Sequence, residues 1–369
     1  MIIDSHCHVF EKWTGACGLP STELHHQYIQ KSVTSSAAKS YRLRDGQEVN
    51  SSVFYKPGGR SWADMRDDIG FRVGPNGRLE ALIDGEVHYV QYMPADMGEI
   101  ESTPDLILGH MNAAGVDHCI LHAGFSYGYM NDYNALAQHH FPDKFTGLFH
   151  VDEARADTDH WMSEAQRAIE HLNLPGLYYH MDQFSRYGCD TWFDDTRFDE
   201  FWSLIESKGI CVFIELNGLP DYKPASLVAN LGRLSKLMDR FPRIRWVMVM
   251  SPPIQVFAPD GKWNFPDEAL AVYNRDTVMI EICYPISWGG KWDYPYHEAQ
   301  HLIKDLHSMF GSEKLVWGSD MPNVGRFCTY KQSLDYVRQH CTFFNATEMD
   351  RVLGGNIADL FGIKDRASK

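Results

Sequence analysis

Positive charge is scarce in this chain. Its 369 residues carry 34 lysines and arginines against 49 aspartates and glutamates, a formal net charge of −15 at pH 7. That balance argues against nucleic acid as a partner, because phosphate recognition needs clustered Lys and Arg. Long apolar runs are missing too: no stretch of 18 residues is apolar enough to suggest a membrane span. No Cys-x-x-Cys pair occurs among the eight cysteines, which are scattered and in part sit inside apolar runs, as Cys119 and Cys211 do. With no secretory leader, reduced thiols in a cytoplasmic protein are expected rather than disulfides. Nor does a Gly-rich phosphate-binding turn follow any strand, which removes the usual signature of an open doubly wound sheet. Gly124-Phe125-Ser126-Tyr127-Gly128 has the spacing of a nucleophile elbow, but aromatic residues flank Ser126 and no helix starts cleanly after it.

What the chain does have is apolar material, 44% of its residues, arranged with a rhythm. Met1 to Asp4 reads as a buried strand. Phe10 to about Ala95 is irregular and aromatic-rich, with hairpin signals at Asn76-Gly77 and Asp84-Gly85. It reads as an insertion at about 11–95, placed to cover a site. Beyond it, helices alternate with short apolar strands over 116–122, 145–151, 176–180, 210–215, 244–250, 277–283 and 315–317. Thr103-Pro104 opens one helix and Gly115 closes it; Thr158 is expected to cap another. Eight strands in this alternation predict a single (β/α)8 TIM barrel spanning 1–369.

In such a barrel chemistry sits at the carboxyl ends of the strands. Here those ends carry His6 and His8, then His122, His150, His180, Glu215, Met250, Glu281 and Asp320. His6 and His8 stand two residues apart, so both imidazoles project from one side of the pleat and can share a divalent ion. Each of the others has an ordinary reading alone: His150 as a hydrogen-bonding loop residue, Glu281 as a buried carboxylate paired with an arginine. Together, imidazoles and carboxylates around one mouth predict a metal site.

Four segments carry a family resemblance: Ile3-Asp4-Ser5-His6-Cys7-His8, Phe241-Pro242-Arg243, Leu315-Val316-Trp317-Gly318-Ser319-Asp320-Met321-Pro322 and Asn356-Ile357-Ala358-Asp359-Leu360-Phe361-Gly362. In this order they resemble the amidohydrolase-related branch of the amidohydrolase superfamily, which includes aminocarboxymuconate semialdehyde decarboxylase, resorcylate-type decarboxylases, hydrolases and hydratases. The resemblance implies that His6, His8 and Asp320 are metal ligands, with Asp320 also able to transfer a proton. It further implies histidines at the ends of strands five and six, where this chain has Glu215 and Met250 instead. Glu215 retains the ability to bind a metal, and the set suits one divalent ion, zinc first, with manganese or iron as alternatives. Met250 is neither an acid–base group nor a good ligand for a hard ion. His180, with His122 second, is the candidate replacement base. Arg326, Tyr178, Asn217, Tyr284 and Trp288 are candidate substrate-binding residues, joined by Tyr55 and Trp62 of the insertion.

The expected activity is a metal-dependent decarboxylase or C–C lyase acting on a small aromatic or conjugated carboxylate. The alternatives are hydrolysis of a lactone, amide or C–C bond, hydration, or a metal-free barrel that only binds a small molecule. A homodimer is expected by resemblance alone.

Overall fold

Five buried residues form the first strand, β1 (Ile3–Cys7). The structure, a computed structural model, describes residues 1–33, 39–49, 51–56, 59, 61–219, 223–284 and 291–364. A long excursion follows β1 and carries the helix α1 (Thr22–Ser32) and strands β2 (Ser40–Arg42), β3 (Glu48–Val49), β4 (Arg72–Val73), β5 (Arg78–Ile83) and β6 (Glu86–Gln91). After it come the remaining strands of the main sheet: β7 (His118–Leu121), β8 (Phe145–Phe149), β9 (Gly176–His180), β10 (Cys211–Glu215), β11 (Trp246–Met248), β12 (Val278–Ile282) and β13 (Leu315–Trp317). They pair in parallel in the order β1-β7-β8-β9-β10-β11-β12-β13. Beyond β13, Asp320 N donates to His6 O (2.9 Å) and His8 N donates to Met321 O (2.8 Å), joining the last strand back to the first. The result is a (β/α)8 barrel, whose strands are covered on both faces and so read as short apolar runs rather than as alternating ones.

Helices fall where their end signals lie. Thr103 accepts a hydrogen bond from Leu106 N and Gly115 ends that helix at φ 79°. Thr158 is a correction in detail: it stands at the N-cap, but its hydroxyl donates to Arg155 O instead of accepting from the first turn. Short helices over Asp182–Tyr187, Ile254–Phe257, Asp267–Tyr273 and Asn356–Phe361 were not foreseen from the sequence. All are too brief to show a full apolar period.

The excursion folds as a five-stranded antiparallel sheet, order β3-β2-β6-β5-β4. Its two hairpin turns place both residues of each turn at positive φ: Asn76 58° and Gly77 72°, Asp84 51° and Gly85 80°. That is the left-handed pair which Asn-Gly and Asp-Gly supply most readily. The sequence does not advertise α1, whose apolar residues are few. Ser21 caps it by accepting from Leu24 N, and Tyr28, Ile29 and Gln30 are buried beneath it. Phe10, Trp13, Ile29, Phe54 and Leu79 build a separate small core that reaches Met130 on the barrel. The insertion is thereby fixed over the carboxyl ends of the strands.

Candidate active site

β1 is bulged between Asp4 and Cys7, and its end delivers His6 and His8 into the mouth. The two Nε2 atoms lie 3.1 Å apart. Asp320 Oδ1, presented just past β13 by a residue at φ 60°, is 3.0 Å from His8 Nε2 and 3.6 Å from His6 Nε2. All three residues are buried. Metal–ligand bonds of about 2.0–2.2 Å place neighbouring donors of a tetrahedron or octahedron about 3–3.5 Å apart, and these atoms match that spacing. The donor chemistry fits as well. His6 Nδ1 faces Glu281 Oε2 at 2.9 Å, so in the neutral ring that a metal requires the proton belongs on Nδ1 and the Nε2 lone pair turns towards the cluster.

Among the described residues no arginine pairs with Glu281. It accepts from Ser5 Oγ (2.9 Å), from His6 and from Met250 N (3.0 Å), three donors that satisfy the hydrogen-bonding needs of a fully buried carboxylate. Burial opposes the charge on His6, but Glu281, then Asp320 and Glu215, raise its pKa to about 9. His8 goes the other way, lowered chiefly by burial.

Asp4 ties the two ends of the barrel together beneath this cluster. Its carboxylate accepts from His6 N (3.0 Å), Ser319 N (2.9 Å), Ser319 Oγ (2.5 Å) and Tyr330 Oη (2.6 Å). Above it, Asn323 Nδ2 donates to Asp320 Oδ1 (2.7 Å) and to Tyr127 Oη (2.6 Å). The Tyr127 ring stacks on His8, centroids 4.1 Å apart. Gly124 to Gly128 is thus no nucleophile elbow, since the next helix starts at Asn131 and Ser126 holds His25 through its carbonyl (3.1 Å). The loop instead sets Tyr127 over the cluster and Phe125 against Tyr28 of α1 (5.0 Å).

Around the cluster lies a cavity of ≈ 910 Å³, lined from the barrel and from Tyr28, Ser32, Tyr41 and Tyr92 of the insertion. Tyr178, His180, Glu215, Asn217, Met250 and Arg326 all face it. Glu215 stands apart from the His6–His8–Asp320 group: Tyr178 Oη donates to its Oε2 (2.5 Å) and His180 Nε2 is 3.6 Å from its Oε1. His180 Nδ1 approaches Asp182 Oδ2 at 3.4 Å. Burial disfavours both charges, yet Asp182 and then Glu215 raise His180 to about 10, and His180 lowers Glu215 to about 2. The pair is therefore an ion pair at neutral pH. Met250, at φ 47°, contributes its N–H to Glu281 and its side chain to the wall.

The remaining expected residues that the structure describes, and Asn217 at the cavity wall, are held by contacts of their own. His122 stacks under His6 (3.9 Å) with its Nε2 on Ser5 O (2.8 Å), behind the cavity wall. Asn217 Oδ1 accepts from Leu219 N, which shapes the loop after β10. Tyr284 packs into the main core, and Trp288 lies outside the described residues. Tyr55 is buried in the insertion core, while Trp62 packs edge-on to Tyr28. The His150 ring finds no hydrogen-bond partner among the described residues, against expectation; it sits between Phe125 and Tyr129, and burial lowers its pKa to about 3. Asp4, Tyr127 and Asn323 were not singled out as site residues. For Asp4 a signal existed, a carboxylate inside an otherwise apolar strand.

Comparison with known proteins settles the lineage. The amidohydrolase family matches residues 3–363. The chain belongs to the amidohydrolase family. No curated protein matches. Among solved structures, 2,6-dihydroxybenzoate decarboxylase complexed with 2,6-dihydroxybenzoate superposes with TM-score 0.56 at 15% identity, over 74% of this chain and 90% of that one. A candidate 2-pyrone-4,6-dicarboxylic acid hydrolase from Acinetobacter baumannii, with citric acid bound, gives 0.51 at 17%, over 71% and 90%. An uncharacterized TIM-barrel protein from Bordetella bronchiseptica gives 0.56 at 15% and covers 98% of both chains, so its match extends through the insertion. At these identities the likeness is one of fold, and this amidohydrolase's chemistry has to be argued from its own residues.

Proposed function

We propose that this amidohydrolase is a metal-dependent decarboxylase of a small aromatic or conjugated carboxylic acid. The observation that carries the reading is the convergence of His6 Nε2, His8 Nε2 and Asp320 Oδ1 within 3.0–3.6 Å, backed by Glu281 on the far nitrogen of His6. These three residues would hold one divalent ion, zinc or manganese by their N/O chemistry, with Glu215 as the fourth donor. When bound, such an ion polarises a substrate oxygen or acidifies a water.

The residues of the chain supply the rest. Asn323 fixes the orientation of Asp320, and Tyr127 covers His8 and keeps solvent off it. Arg326, whose guanidinium faces no carboxylate among the described residues, is placed to take the substrate carboxylate. Decarboxylation needs a proton at the carbon that loses CO₂. Met250 has none to give, so the donor is Asp320 or His180, the latter replacing the histidine that the family carries at the end of strand six.

A second reading, hydrolysis of a lactone or related ring, draws on the same geometry. His180 faces the cavity and is held as a cation between two carboxylates, an arrangement that suits an acid protonating the leaving oxygen, with Asp320 taking the proton of the attacking water. The test is to follow CO₂ release and ring opening with a panel of hydroxybenzoates and pyrone carboxylates, together with elemental analysis of protein purified without chelators. CO₂ release with near-stoichiometric metal is expected. Ring opening without CO₂ would favour the hydrolase, and metal far below stoichiometry that is not restored by zinc or manganese would leave only a binding barrel. Glu215→Gln is expected to retain metal less well, and His180→Asn to lose turnover with its metal in place. Metal retention equal to the parent in Glu215→Gln would remove Glu215 from the ligand set.

A further inference from the structure

The mouth of this barrel is chemically two-sided, and Glu153 on its second side has no role in the reading above. In a closed eight-stranded barrel the last strand lies across from the fourth. Here β13 leads into Asp320 and Arg326, while β9, diametrically opposite, leads into His180 and Asp182, and its neighbour β8 leads into Glu153. All five residues line the one cavity.

Glu153 is the anomaly on the far side. It is 2% exposed and faces the cavity. Its Oε1 accepts from His180 N at 3.3 Å, which fixes the plane of the carboxyl group. Its Oε2 has no partner among the described residues. A buried carboxylate oxygen without a donor costs free energy, about as much as a lost charged hydrogen bond. The neighbouring charges do not relieve it. Burial, then Asp152 and Asp182, favour the protonated carboxyl before a substrate binds, and His180, a cation acting on Glu153, is already shared between Asp182 and Glu215. A donor arriving from the cavity therefore has to displace that proton to solvent. Lys31 of α1 acts on Asp182 instead. The walls beside this corner are aromatic: Tyr28 and Phe125 stack in parallel and both face the cavity.

We propose that Glu153 is a specificity residue that receives a hydrogen-bond-donating substituent, amino or hydroxyl, at the end of the substrate remote from its carboxylate. The inference rests on the carboxylate reading above and adds the substrate class: an aromatic acid carrying a donor group across the ring, with its acid end at Arg326 and its donor end at Glu153. A second acidic group at that end is disfavoured by the unpaired oxygen and its acidic neighbours.

Isothermal titration of the full-length, manganese-loaded protein with benzoate, 4-hydroxybenzoate, 4-(aminomethyl)benzoate and terephthalate tests it. The two donor-bearing acids are expected to bind about tenfold more tightly than benzoate, and terephthalate more weakly than benzoate. In Glu153→Gln the His180 N–H keeps the amide oxygen on the backbone side, so an N–H₂ faces the cavity in place of an acceptor. The tenfold preference should then fall to about twofold or less with the benzoate affinity unchanged. Glu153→Met, of similar volume and with no oxygen, reads the same ratio should the glutamine variant be unstable. Benzoate binding with no preference for a donor, or a preference that survives both substitutions, overturns this inference and leaves the carboxylate reading standing. Binding of none of the four acids overturns both. A second equivalent of manganese that is lost in Glu153→Gln also overturns it, because the oxygen would then belong to a cation.

Discussion

Glu281 shows how one residue can decide the chemistry of another that it only orients. Its carboxylate receives Ser5, His6 and Met250, and the His6 contact keeps the proton on Nδ1. In Glu281→Met, of similar length and with no carboxylate oxygen, nothing accepts the Nδ1 proton, and the ring proton is free to move to Nε2 inside the donor triangle. Metal affinity should fall about 10–100-fold, measured by competition with a chromophoric chelator. Unchanged affinity would mean that His6 is not a ligand. Glu153 makes a prediction of the opposite kind, about protons rather than metal. Burial, then Asp152, hold its folded pKa well above the ordinary 4.5. The folded state therefore binds that proton more tightly than the unfolded chain does. The stability linked to it is fully present below pH 4.5 and is lost as pH rises towards the folded pKa. Glu153→Gln removes the loss, so its melting temperature relative to the parent should climb by a few degrees between pH 5 and pH 8. A constant difference over that range would show an ordinary carboxylate.

At the scale of elements, the loop from Gly124 to Gly128 links the insertion to the His6–His8–Asp320 cluster. Gly128 adopts φ 113°, and a Cβ there would meet the Cys17 carbonyl oxygen at 2.2 Å, a backbone atom that cannot step aside. Tyr129 N in turn donates to that same carbonyl at 2.7 Å. Gly128→Ala should cost about 2 kcal/mol or more, seen as a melting point lowered by several degrees, and should weaken metal binding as Tyr127 shifts off His8. A parental melting curve would show that the loop has slack. The glycine spacing was visible in the sequence, but its meaning was not: Cys17 lies 111 positions away, and only the folded insertion brings it to the loop. The same limit applies to α1 and to the helices of four to seven residues, whose stability comes from tertiary packing rather than from a local period. Strands were more legible. Gly176–His180 and Leu315–Trp317 have the bounds that their apolar runs suggest, because a strand buried on both faces must be apolar for its whole length.

For the whole molecule, the barrel and its reactive end followed from alternation and from what terminates each strand. The partners of those terminal residues did not follow, because contacts such as Ser319 with Asp4, 315 positions apart, are set by barrel closure. That closure is also where the metal should matter most. His6 and His8 end β1, Asp320 follows β13, and the donor triangle spans the seam where the last strand meets the first. An ion held there cross-links the two ends of the chain's core in the folded state and has no equivalent site in the unfolded one. At a thousandfold excess over its dissociation constant it would add about 4 kcal/mol of stability. Exhaustive chelation should therefore lower the melting temperature by about 5 °C or more, and zinc or manganese should restore it. The loss should be concentrated at the seam: hydrogen exchange of the Asp320 and His8 amides, which close the barrel, should accelerate more than that of β9 and β10 on the opposite side. Equal exchange at seam and far side, with no change in melting temperature, would mean that the three donors hold no ion.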